Sequence, residues 1–192
     1  SEMATTQTLG LMFASQATGV FTLHEASASE PQLRLNGQVL NGQTEWVDAF
    51  VQRTGAVATV FVRRGQDWLR IATSLRDEQG LRALGTTLAA DHPAQTALRE
   101  GKSHQGPARL FGREYMTWYA PVRDSAGQVV GAFFIGKPMH NALEPLRASM
   151  KQFRVGQSGY VYLADHGKDF GRLLAHPFHT GKSLNEIATG PA

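Results

Sequence analysis

The chain has 192 residues, 42% hydrophobic and 18% charged, which excludes a disordered or fibrous protein and allows one ordinary domain plus part of a second. It contains no cysteine, so disulfides, cysteine-ligated metals and thiol catalysis are excluded. The net charge of +3 is unevenly spread: residues 1–50 carry Arg34 against Glu2, Glu25, Glu30, Glu45 and Asp48, so the excess of cations lies further along the chain, and 14 of the 19 cations are arginines.

In chain order, residues 4–18 read as a helix with Leu9, Met12 and Phe13 on one face, although Gly10 and Gly19 weaken it. Val20–Leu23 has strand character. Residues 24–44 are polar and irregular, with turns at Asn36-Gly37 and Asn41-Gly42 and short extended pieces at Leu33, Leu35 and Val39-Leu40. Thr44 is the expected N-cap of a helix over 45–53, whose apolar stripe is Trp46, Val47, Phe50 and Val51 and whose stop is Gly55. Val57–Val62 and Asp67–Leu75 form a hairpin through Arg64-Gly65-Gln66. A helix is predicted over 93–100, with Pro93 in its first turn and Gly101 ending it. Strands are predicted at 106–111, 114–123 and 128–136, the last two joined by Asp124-Ser125-Ala126-Gly127. A capping-box pair, Asn141 and Glu144, opens a helix predicted over 141–154. The longest apolar run, Val129–Ile135, is far below the roughly 18 residues of a membrane span. Ser1-Glu2-Met3 reads as a cloning remnant, so the natural protein is expected to continue beyond both ends.

A pattern recurs at an offset of 102 residues. Val60–Ile71 and Tyr162–Leu173 share an apolar strand, a turn with Gly and Asp, an aromatic, an arginine (Arg70, Arg172) and an aliphatic residue, which points to a duplicated unit. The expected division is a complete module over 1–138 and, over 139–192, a connecting helix with the start of a second module. Helices segregated to the faces of an antiparallel sheet give an α+β class.

The motifs for chemistry fall short. Gly181-Lys182-Ser183 lacks the first glycine of a phosphate loop, since His176 stands in its place. Gly156-Gln157-Ser158-Gly159 has its second glycine one residue early for a nucleophile elbow. His176 and His179 are separated by Pro177, which argues against a helical metal pair. Only Arg63-Arg64 are adjacent cations, so nucleic acid is not expected. No cofactor, metal or catalytic set is assigned.

A binding constellation remains. Strand alternation puts the hydroxyls of Tyr115, Thr117 and Tyr119 on one face. Arg70 interrupts an apolar strand and calls for a carboxylate partner, from either the protein or a ligand. Gly85-Thr86-Thr87 is a turn that would offer amides and hydroxyls to an anion.

These segments together resemble the Cache domain of bacterial chemoreceptors and sensor kinases. The resemblance rests on Thr54–Val62, Trp68–Leu75, Gly85–Leu88, Gly106–Gly112, Tyr115–Val122 and Gly127–Gly136 in order. The stretches Val155–Leu163 and Leu174–Pro177 resemble the opening of another Cache unit, as in the fused Cache arrangement of methyl-accepting chemotaxis proteins. The resemblance implies a PAS-like fold and a pocket over the central sheet for a small metabolite, commonly a carboxylate. It also implies a periplasmic position in a membrane-anchored receptor and no enzymatic activity; homodimerisation stays open. Arg70, Thr73, Thr86, Tyr115, Thr117 and Tyr119 are the pocket candidates, with Arg113 as a second cation at the mouth. The alternatives are a soluble PAS-like module holding haem or flavin, a hydrolase with an unrecognised triad, and a spacer without ligand.

Overall fold

A computed structural model describes residues 1–25, 30–139, 154–155, 159–160, 162–164, 173–175 and 181–184. The chain divides into two compact units, Ser1–Met139 and His140–Ala192. In the first, α1 (Glu2–Ser15) precedes a small antiparallel sheet of β1 (Phe21–His24), β2 (Gln32–Leu35) and β3 (Gln38–Val39). α2 (Glu45–Thr54) then leads into β4 (Val57–Arg64) and β5 (Asp67–Thr73). α3 (Ala94–Arg99) is followed by the meander of β6 (His104–Leu110), β7 (Arg113–Arg123) and β8 (Val129–Pro138).

The last five strands form one antiparallel sheet in the order β5-β4-β8-β7-β6. Counted within the sheet this is second, first, fifth, fourth, third, the PAS-like arrangement of an α+β domain. The β4–β8 pairing closes the sheet in its middle, from Val57↔Gly136 to Val62↔Gly131. β5 and β6 are therefore the two edges. The β5 edge is covered by the segment around residues 85–88: Arg70 and Gly85 donate amides to the carbonyls of Thr86 and Arg70, and Leu88 donates to Trp68. Covering an edge in this way removes a template for wrong pairing.

Each face of the sheet carries its own core. On one side Phe13, Val47, Phe50, Val60, Val62, Trp118, Phe133 and Ile135 pack under α1, α2 and the small sheet. Phe13 is the hub, stacked on Trp46 at 4.7 Å and edge-on to Phe50 and Phe133 at 5.2 and 5.4 Å. On the other side Phe61, Trp68, Tyr115, Tyr119 and Phe134 lie under Leu75, Ala83, Leu88, Ala94 and Leu98. This second face holds the candidate site.

Several expectations shift in detail. α1 begins at Glu2 and ends at Ser15, and Gly10 is buried rather than a weak point. The strand expected at Val20–Leu23 is β1, and the stretch 24–44, read as irregular with short extended pieces, supplies its partners β2 and β3, with Asn36 and Gly37 at φ 50° and 81° in the β2–β3 turn. Thr44 stands at the start of α2 without a side-chain cap bond, and Gly55 ends that helix in the left-handed conformation. β6 starts two residues earlier than expected and stops before Phe111, which belongs to the turn. In the second unit β9 (Arg154–Val155) pairs with β10 (Gly159–Tyr160), and β11 (Leu163–Ala164) pairs antiparallel with β12 (Leu173–Ala175). Gly181 donates its amide to Leu173, and Leu173 donates to Lys182, so this glycine serves a backbone pairing. The helix expected over 141–154 lies outside the described residues except for Arg154, and of the helical piece expected over 183–187 only 183 and 184 are described.

Candidate functional site

Residues from both edge strands of the sheet line one cavity of about 450 Å³. Arg70 comes from β5, and His104, Pro107, Ala108, Arg109 and Leu110 come from β6. Thr87, Leu88, Ala89, Asp91, His92 and Pro93 close it from the segment that enters α3, and Phe111 closes it from the β6–β7 turn.

Arg70 is 4% exposed and has an unusual set of partners. Nη1 donates to the Thr86 hydroxyl at 3.0 Å and to the Thr87 carbonyl at 2.8 Å. Two aromatic rings lie against the guanidinium, Phe61 at 5.1 Å and Phe111 at 5.4 Å. Nε is buried with no acceptor, and among the described residues neither Nε nor Nη2 has a hydrogen-bond partner. No described carboxylate lies within salt-bridge distance of it; the ion pairs found are Arg82–Asp48, Lys102–Glu100 and Lys137–Glu2. Burial presses the guanidinium's pKa down, with the Tyr119 phenol opposing. Far below that pKa it stays charged.

His92 and His104 share the wall, their rings 6.0 Å apart and near-perpendicular. His92 Nδ1 accepts the Ala94 amide at 3.0 Å, which leaves the proton of the neutral ring on Nε2, 3.5 Å from the Tyr119 hydroxyl. Burial lowers the His92 pKa, and the nearby His104 and Arg70 lower it further, while Asp91 opposes them. Burial raises the Tyr119 phenol above its ordinary value.

The candidates from sequence separate into groups. Arg70 and Thr86 touch, but the Thr86 hydroxyl donates to the Ala83 carbonyl at 2.6 Å and its amide also points at Ala83, so that turn is largely engaged within itself. Tyr115, Thr117 and Tyr119 do share a face. Thr117 is spent on the Gly106 carbonyl at 2.7 Å, and Tyr119 lies beneath His92 and His104 in the core. Thr73 pairs with Thr59 at 2.6 Å inside the sheet. Arg113 and Tyr115 line a neighbouring cavity of about 460 Å³ with Ser74, Arg76, Asp77 and Glu78, and Phe111 borders both spaces. Sequence reasoning missed His92, His104, Arg109 and Phe111. His104 was within reach: it lies as far before the 111–112 turn as Tyr119 lies after it, and the two are cross-strand partners.

Fold and site together define a PAS-like sensing domain: an antiparallel sheet with α1 and α2 packed on one face and, on the other, a pocket of mixed polar and apolar lining. Residues 3–191 match the Cache 3/Cache 2 fusion domain, and the chain belongs to that family. Cache domains are signal-sensing modules, the extracytoplasmic parts of membrane receptors that take small-molecule ligands. The chain is also similar to the solved sensor domain of DcuS from E. coli, at 16% identity over 71% of this chain and 87% of that one, with a TM-score of 0.43. No curated protein matches the sequence. Among the described residues no helix is long and apolar enough to cross a membrane.

Proposed function

We propose that this Cache domain is the periplasmic sensor of a chemoreceptor-type membrane protein and that it binds a small organic carboxylate on the Nε–Nη2 edge of Arg70. One observation carries the reading: a buried guanidinium tied at Nη1 and, among the described residues, left without an acceptor at Nε. That edge is the fork that takes a carboxylate through two parallel N–H···O bonds. An unmatched cation at this depth costs several kcal/mol, and a ligand anion removes the deficit. His92 and His104 supply ring nitrogens beside it, and Leu88, Pro107, Ala108 and Leu110 supply apolar wall for a short carbon skeleton. Thr73, Thr117 and Tyr119 then act through the wall rather than on the ligand, and Arg113 and Tyr115 border the adjoining space.

Ligand binding would signal by differential affinity for two arrangements of the domain, biasing the helices at its ends. The test is a melting-temperature titration with acetate, pyruvate, succinate and citrate against a chloride control. A specific anion at 100 times its dissociation constant adds about 2.7 kcal/mol of stability. Silence toward all four anions, with a shift from an amine or a purine, would overturn the carboxylate reading. Silence toward every compound would favour a spacer.

A further inference from the structure

Arg70 is held in place without Phe111. Thr86 and Thr87 fix its Nη1, and Phe61 supports it from the neighbouring strand. Phe61 is 1% exposed and locked between β5 and β8. Phe111 differs in every respect. It stands at the tip of the β6–β7 hairpin, it is half-buried, and its φ of 48° puts a bulky side chain in the left-handed region. Gly112 follows at φ 77°, completing a two-residue turn with two positive φ angles. The β2–β3 hairpin solves the same problem with Asn36-Gly37, the residue pair such a turn favours. A phenylalanine in that position adds backbone strain, and such strain collects at ligand clamps and switches. It also sits against a guanidinium whose Nε is shut off from solvent and has no hydrogen-bond partner among the described residues.

Building on the carboxylate reading, we propose that Phe111 is the access-determining residue of the Arg70 site: its ring covers the free guanidinium edge in the empty domain and moves aside to admit an anion. The neighbouring cavity of about 460 Å³, which Phe111 also lines, gives the ring a place to go. The ring thereby sets how readily anions reach Arg70, and its displacement couples ligand entry to the β6–β7 hairpin. Positioning of Arg70 is not its task, because Thr86, Thr87 and Phe61 already do that.

The test compares the full chain with Phe111→Asn, which suits the left-handed turn and removes the ring. Acetate, pyruvate, succinate and citrate are titrated by calorimetry, and association is followed by stopped-flow tryptophan fluorescence. If the site is open for about a tenth of the time, removing the cover tightens binding and speeds association by roughly tenfold. The melting temperature of the empty variant should stay close to wild type, since relief of strain offsets lost packing. Binding by the variant alone also supports the cover. Wild type and variant binding equally well, or the variant binding more weakly, would overturn the role of Phe111 and leave the carboxylate reading standing. Absence of binding to both proteins would overturn that reading, and this inference with it. Phe111→Gly, which also suits the turn, gives the same comparison should the asparagine variant misfold.

Discussion

Arg70 is a test of function against stability at a single position. A structural arginine replaced by methionine should lower the melting temperature. Here the empty Arg70→Met domain should melt at the same temperature or higher, because the change removes a buried charge with no counter-ion among the described residues. Its response to carboxylates should vanish. Arg70→Lys keeps the charge but loses the fork, and a charge-assisted contact of about 1.5–3 kcal/mol translates into a loss of affinity of roughly 10- to 100-fold. His92 adds a pH dependence. Its folded pKa lies below the ordinary 6.5, so the unfolded chain binds more protons as pH falls. Its contribution to stability is complete above about pH 6.5 and is lost as pH drops from there through the folded value. The groups facing it are Arg70 on β5, His104 on β6, Tyr119 on β7 and Asp91 on its own segment. An anion at Arg70 reverses the balance by favouring imidazolium, so carboxylate affinity should rise between pH 8 and pH 5.5 with net proton uptake. Calorimetry in buffers of different ionisation enthalpy measures that uptake. Zero uptake would remove His92 from the site. At this scale the sequence pointed to Arg70 through one physical signal, a cation inside an apolar strand. His92 gave no signal, because its place depends on how the irregular segment before α3 folds back.

At the scale of elements, packing overrides propensity in α1. A glycine inside a helix normally costs about 1 kcal/mol against alanine. Gly10 is nonetheless buried, and a Cβ added there would run into the Trp118 indole on β7. Gly10→Ala should therefore destabilise the domain by about 1–3 kcal/mol, the usual range for overpacking, despite the better helix former. Urea denaturation followed by circular dichroism would show it, and an increase in stability would mean that α1 does not pack this closely on the sheet. The same contact explains why the sequence alone undervalued α1: helix propensity treats Gly10 as a defect, and only the register against Trp118 shows its use. The β4–β5 hairpin and the meander were legible because alternation and turn residues are local. The β1–β2–β3 sheet was less so, since β2 and β3 are short and only half apolar, and Phe111 was hidden because nothing local marks a phenylalanine for a left-handed turn.

For the whole molecule, the question is how much of the chain the sensing function needs. All five strands of the central sheet, both core clusters and every residue lining the Arg70 cavity fall within Ser1–Met139. A core of that extent on both faces of a sheet is what an independently folding domain requires. The proposal that the first module is a self-sufficient sensor thus makes a direct prediction. A chain ending at Met139 should unfold in one cooperative thermal transition and keep its response to acetate, pyruvate, succinate or citrate. Its dissociation constant should lie within about twofold of the full chain, because no part of the site is lost. A broad non-cooperative transition would show that residues 140–192 complete the fold. A sharp transition with no anion response would show that they complete the site. Retained binding, by contrast, would locate ligand recognition in the first unit and leave the later one free to carry the signal onward.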